Sequence, residues 1–257
     1  MGFNKMLLLV DIGNTNITVG ISNGETILKK WAIPVIQFGI AAIFSDVTKR
    51  FIENVEIDGC VIASVVEGLD LEIKKACDDL FGVNSLIVTK EIIDKLPIAI
   101  KYPQGAGIDR IINVIAARKK YSGITAVVDL GSAITIDVIS ENGDFAGGMI
   151  MPGVKLQLKA LNEYTSKLPL LEPQKSNCLI GENTEEAILS GVVRGIGVAI
   201  DGLLQQIEDE TERNQIVIAT GGDAELISEY SFYAFNFVDV DLTLNGMKYI
   251  YEVYLNS

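Results

Sequence analysis

Apolar runs alternate with short polar turns along this chain, and two of the runs repeat each other. Residues 6–22 read MLLLVDIGNTNITVGIS before Asn23-Gly24-Glu25, and residues 124–140 read ITAVVDLGSAITIDVIS before Glu141-Asn142-Gly143-Asp144. Each is an apolar run, an Asp-x-Gly turn, a β-rich run ending in Ser and a polar Asn-Gly turn, which is the pattern of a strand and its hairpin partner. Asp11 corresponds to Asp129, Gly13 to Gly131 and Ser22 to Ser140. Further on, Cys60-Val61-Ile62-Ala63-Ser64 resembles Ile216-Val217-Ile218-Ala219-Thr220, each a short apolar strand followed by a helical segment. Both halves therefore run strand, strand, strand, helix, strand, helix. A duplicated α/β protein follows, with domains at 1–121 and 122–257 and a cleft between related halves.

The periodicity predicts strands near 6–12, 15–22, 25–31, 59–64, 85–89, 124–130, 133–140, 144–151, 215–220 and 234–239. It predicts helices near 38–53, 68–81, 107–121, 153–163, 185–209, 222–230 and 243–254. The segment 164–184, with Pro169 and Pro173, has no period. A loop of that length inside a compact domain is often functional.

Composition narrows the chemistry. The 257 residues contain no histidine, which excludes a Ser-His-Asp or Cys-His nucleophile and a His-ligated zinc. A general base has to be a carboxylate, Lys, Tyr or Cys. With 21 Lys+Arg against 34 Asp+Glu, the net charge of −13 argues against nucleic acid and against an anionic membrane surface. Cys60, Cys77 and Cys178 are far apart and form no CxxC, so no disulfide framework is expected. The apolar run before Asp11 is too short for a signal peptide or a membrane span, so the expectation is a cytoplasmic protein.

Several motifs admit both a plain and a functional reading. Asp11-Ile12-Gly13-Asn14-Thr15-Asn16 reads as a hairpin turn, or as a turn whose backbone N–H groups cradle phosphate while Asp11 reaches a metal. Its second copy, Asp129-Leu130-Gly131-Ser132, favours the functional reading, because two such turns could face one cleft. Asp109, in Gly107-Ile108-Asp109-Arg110, reads most simply as an acid in a first helical turn, with Arg110 at the surface or ion-paired. Thr220-Gly221-Gly222 is either a strand-to-helix turn or a close backbone approach to a nucleotide. Asn183-Thr184-Glu185-Glu186 has capping-box spacing and needs no function. Gly20-Ile21-Ser22-Asn23-Gly24 matches a nucleophile elbow, but without histidine it is better read as a hairpin turn. Trp31, Met149, Met151 and the aromatics of Ser231-Phe232-Tyr233 read as core or interface packing.

Together these blocks resemble the type III pantothenate kinases, within the superfamily of actin, sugar kinases and heat-shock chaperones. The resemblance runs nearly end to end, through LLLVDIGNTNITVGI (7–21), YPQGAGIDRIINVIAA (102–117), AVVDLGSAITIDVISENGDFAGGMIMPGV (126–154), GENTEEAILSG (181–191), VIATGG (217–222) and DLTLNGMKYIY (241–251). It implies two ribonuclease H-like (actin-like ATPase) domains and transfer of the γ-phosphoryl group of ATP to pantothenate, the first step of coenzyme A synthesis. It further implies that Asp11, Ile12, Gly13, Asn14, Thr15 and Asn16 sit at the ATP phosphates, with Asp11 at magnesium. Asp109 would be the catalytic base. Tyr102, Gly107, Ile108, Arg110 and Thr184 would contact pantothenate beside it. Asp129 would bind a monovalent cation, potassium or ammonium, and Ser132, Gly221 and Gly222 would contact ATP. Members of the family are typically homodimers.

The chain departs from the family pattern where the second turn reads Gly131-Ser132-Ala133-Ile134-Thr135-Ile136 instead of Gly-Thr-Ala-Thr-Thr-Phe, and where Met151 replaces a small residue. Ile134 in place of a hydroxyl residue could alter phosphate or cation contacts, and Met151 reads as repacking. The chemistry agrees with the resemblance, since phosphoryl transfer asks for positioning and charge neutralisation and a carboxylate can orient one hydroxyl. Two alternatives remain at this point: a kinase or phosphatase of the same fold acting on another small molecule, and a non-catalytic regulatory protein.

Overall fold

Each Asp-x-Gly turn closes an antiparallel hairpin, and each hairpin opens a five-stranded sheet. The computed structural model describes residues 5–35, 39–52, 55–232 and 235–257. In the first half, β1 (Leu7–Ile12), β2 (Asn16–Ser22) and β3 (Ile27–Pro34) form a meander, followed by α1 (Ile40–Phe51), β4 (Gly59–Ser64), α2 (Leu69–Phe81), β5 (Leu86–Ile87), α3 (Lys90–Lys95) and α4 (Ile108–Lys120). The second half repeats the scheme with β6 (Ala126–Leu130), β7 (Ala133–Ile139) and β8 (Phe145–Pro152). It continues through α5 (Val154–Glu163), α6 (Thr184–Leu189), α7 (Gly195–Thr211), β9 (Val217–Thr220), α8 (Ala224–Ser228), β10 (Phe237–Val238) and α9 (Leu242–Leu255).

The sheet orders are β3-β2-β1-β4-β5 and, read from its β8 edge, β8-β7-β6-β9-β10. The central strand of each runs antiparallel to its hairpin partner and parallel to the fourth strand of its half, β4 or β9. The register makes the duplication concrete: Asp11 lies opposite Ala63, and Asp129 opposite Thr220. Leu7–Val10 and Ala126–Val128 are fully buried, as a central strand covered on both faces must be. Trp31 belongs to the first core and stacks on Phe51 with ring centroids 4.7 Å apart. Met149 and Met151 pack against the second core, whereas Phe232 is 90% exposed. All three cysteines are free.

The predicted division at 121/122 requires correction. The two compact units are residues 1–116 with 241–257, and residues 117–240. The C-terminal helix α9 returns to the first unit, where three glycines let it pack close to the sheet and to α4. A Cβ on Gly20 would lie 2.8 Å from Leu244, one on Gly59 2.3 Å from the Tyr251 hydroxyl, and one on Gly246 2.8 Å from the Ile112 carbonyl oxygen. Nothing in an amphipathic pattern states which sheet a helix will cover.

Other differences are local. Helix α3 is absent from the sequence expectation, because six residues show no full period; Thr89 caps it by accepting from Ile92 N–H. The expected helix 185–209 is α6 and α7 joined by a π-turn at Ser190–Arg194. It is long and apolar enough to cross a membrane, but its apolar residues, among them Val193, Ile196, Ile200 and Leu204, lie in the second core. Residues 38 and 53 of the predicted first helix, residue 234 of the predicted last strand, and Tyr233 lie outside the described residues.

Candidate active site

The first turn lies at the end of β1. Asp11 is half-buried, and Asn14, Thr15 and Asn16 are exposed. The Gly13 N–H donates to the Asn16 carbonyl at 3.0 Å, closing the hairpin. That amide is therefore committed to the turn, and a phosphate cradle here would have to come from the residues after it. Val35 N–H donates to the Thr15 carbonyl at 2.9 Å and ties the turn to the end of β3.

The second turn is more tightly built. Asp129 is the last residue but one of its strand and half-buried, and glycines make room for its carboxylate. A Cβ on Gly221 would come within 2.6 Å of Asp129 Oδ1, and one on Gly131 within 3.4 Å. Gly221 also has φ +92°, which L side chains rarely adopt. Asp223 N–H donates to the Leu130 carbonyl at 2.9 Å, fastening the Gly-Gly turn to the Asp129 turn. Gly153 N–H donates to the Ser132 carbonyl at 3.1 Å. The structure thus brings Asp129, Gly131, Ser132 and Gly221 together at one end of the second sheet. Asp223 is a further acid there that sequence reasoning passed over. Burial pushes its carboxyl above the usual range, partly opposed by Lys155. Its signal was an acid directly after Gly221-Gly222.

The two departures in this region resolve into one. Ile134 is buried in the second core, and its cross-strand partner is Met151, packed against the same core. Ile134 points into the packing beneath the turn, while Ser132 is exposed.

Asp109 stands in the first turn of α4, half-buried, with Oδ1 accepting from the Arg110 N–H at 2.8 Å. The carboxylate folds back over Gly107, where a Cβ would lie 2.4 Å from Oδ1. Any side chain at 107 would displace this acid. Ile108 is buried beneath it, and Arg110 is half-buried. Tyr102 donates its hydroxyl to Asp94 Oδ1 at 2.6 Å. Burial, then the Asp94 bond, push the phenol up to about 12. Tyr102 is neutral and pinned to α3 at physiological pH.

Thr184 opens α6 on the second unit and is exposed. Asn183 caps the helix by accepting from Glu186 N–H at 3.0 Å, and Glu186 accepts from Glu182 N–H at 2.9 Å, one residue before the position a capping box would use. The aperiodic stretch before it is anchored by the π-turn. Ser190 donates to the Leu179 carbonyl at 2.6 Å, and Arg194 donates to the Cys178 and Ser176 carbonyls at 3.0 Å each. The nucleophile-elbow match is a turn, as expected, with Asn23 accepting from Glu25 and Thr26 N–H.

Among the described residues, no three His, Cys, Asp or Glu side chains gather as a metal site. Magnesium bound with phosphates needs only one or two protein carboxylates, so single acids at glycine turns fit that donor set.

Two sheets of one order, each with an Asp-x-Gly turn at the end of its central strand, define a duplicated α/β fold. MreB5 of Spiroplasma citri, solved with ADP, has this fold (TM-score 0.54, 11% identity, 98% of each chain covered). The chain belongs to the type III pantothenate kinase family, whose model matches residues 7–206. A type III pantothenate kinase of Finegoldia magna is 37% identical over 262 residues, covering 98% of this chain and 99% of the relative. A solved Campylobacter jejuni protein described as a Baf family transcriptional activator is also similar (TM-score 0.61, 26% identity, 97% of this chain and all of the other covered).

Proposed function

We propose that this chain transfers the γ-phosphoryl group of ATP to the primary hydroxyl of pantothenate, the first step of coenzyme A synthesis, with Asp109 as general base. Membership of the family supports the reaction, and the observation that carries the residue is the Asp109 carboxylate held above Gly107 at the start of α4. A carboxylate that is half exposed and fixed in direction can take or orient one hydroxyl proton. Tyr102, Gly107, Ile108, Arg110 and Thr184 are the residues proposed to hold pantothenate. The Asp11–Asn16 turn, Ser132, Gly221 and Gly222 are those proposed for ATP. Asp11 would hold magnesium and Asp129 potassium or ammonium, and these cations would offset the phosphate charge that no P-loop lysine meets here. We place the protein in the cytoplasm and read it as a homodimer. The second unit leaves Ile150, Tyr164, Leu179, Ile180 and Val198 exposed, which favours a partner copy.

The test is a coupled phosphoryl-transfer assay with pantothenate, run in potassium and in sodium. Asp109→Asn should lower kcat by at least about 10²-fold while circular dichroism reports an intact fold. Near-normal turnover would remove Asp109 from the chemistry. The Campylobacter relative's description favours a second reading, a regulatory protein. Calorimetric titration of pantothenate with a non-hydrolysable ATP analogue separates the two, since a regulator that lost the pantothenate site would give no heat.

A further inference from the structure

Helix α4, which carries Asp109, is held from behind by α9, and at one point that contact is polar. Every residue from Ile111 to Ala117 is buried, and Asn113 is the one polar side chain among them, 0% exposed. It lies one turn below Asp109, four residues on and so on the same helical face. Its Oδ1 accepts from the Thr243 hydroxyl of α9 at 2.7 Å. One turn further along α9, Gly246 brings the two backbones together, for an added Cβ would meet Ile112 Cγ2 at 2.7 Å and Ala116 Cβ at 3.0 Å. Helix α9 is itself seated on the sheet at Gly20 and Gly59. It therefore spans from the strands of the Asp11 hairpin to the helix of Asp109.

We propose that Asn113 and Thr243 are positioning residues for phosphoryl transfer. The inference rests on the reading of Asp109 given above. Apolar contacts alone would let α4 slide or turn by a fraction of an ångström at small cost. A buried hydrogen bond is directional and fixes both the rotation and the height of the helix. A general base must come within about 2.6–3.2 Å of its proton, and a misplacement of about 1 Å can cost roughly 10² in rate. Valine opposite leucine would fill this space equally well, so packing does not account for a polar pair.

The experiment compares Thr243→Val and Thr243→Ser in the full chain, with Ile73→Val as a control that thins the first core at α2. Steady-state rates with pantothenate and ATP are taken at a temperature where circular dichroism reports all variants folded. Thr243→Val should lower kcat about tenfold or more while the KM for ATP moves by less than about twofold. Thr243→Ser keeps the hydroxyl and should recover most of the rate. Ile73→Val should lower the melting temperature and leave kcat alone. Unchanged kcat in Thr243→Val, or an equal loss in Ile73→Val, overturns the inference. Should the valine variant not fold, Thr243→Ala carries the same comparison with the same outcomes. A wild-type chain inactive on pantothenate sinks the functional reading and this inference together. An active wild type with an unimpaired Thr243→Val sinks this inference alone.

Discussion

Gly221→Ala offers a sharp test of how the Asp129 turn is built, because its neighbour supplies the control. At φ +92° an alanine carries the left-handed cost, about 1–2 kcal/mol. Its Cβ would also lie 2.6 Å from Asp129 Oδ1, from the Leu130 carbonyl carbon and from the Leu130 oxygen. Two of these atoms are backbone of a central strand and cannot rotate aside, so an overpacking cost of about 1–3 kcal/mol adds to the strain. The sum is about 2–5 kcal/mol, which corresponds to roughly 5–15 °C in the thermal transition of a unit this size. Gly222 has no atom within 4 Å of an added Cβ and no positive φ. Gly222→Ala should therefore be neutral, or stabilising by about 0.5 kcal/mol through the unfolded chain. Differential scanning calorimetry of the two variants reads the contrast directly. The reasoning is refuted if Gly221→Ala melts within about 1 °C of wild type, or if the two variants lose the same amount.

Other consequences can be measured in the same way. Asp78 accepts from Lys74 Nζ at 2.8 Å and from Ser85 N–H at 2.7 Å, tying α2 to the start of β5. Burial pushes its carboxyl up, but the bonds from Lys74 and Ser85 outweigh it and hold it below its ordinary 3.8. Its stabilisation is thus present above that value and lost as pH falls through the depressed one, so Asp78→Asn should cost about 1 kcal/mol at neutral pH and nothing in strong acid by urea titration. Ile134→Thr, which restores the family's hydroxyl, should cost about 1–3 kcal/mol by burying it in the core. The same variant should leave kcat within about twofold of wild type, because the side chain lies beneath the turn.

The sequence made the strands and the duplication legible because their signals are local. An apolar run ending in Asp-x-Gly announces both the strand and its turn, and Asn23-Gly24 announces the next hairpin. Asp129 was legible as the twin of Asp11 for the same reason. The pairing of β1 with β4, the close packing of Gly221 on Asp129 and the return of α9 to the first sheet are tertiary facts. A glycine in the sequence does not say which backbone approaches it, and Gly246 read alone is only a poor helix former. Asp109 read alone was a first-turn acid, which it is. What distinguishes it is the Gly107 Cα beneath its carboxylate, a contact that no pattern of hydrophobic positions encodes. Ile134 and Met151 were read as two departures because cross-strand partnership joins residues that the sequence holds seventeen apart.

The insertion of residues 117–240, which begins within the last turn of α4 and ends before α9, also sets an order of assembly. During synthesis the stretch 117–240 becomes available as an uninterrupted whole, while the earlier sheet waits for residues 241–257 to emerge from the ribosome. The half of the molecule translated first is thus the half finished last. Until then the seat that Gly20 and Gly59 offer to Leu244 and Tyr251 has no occupant.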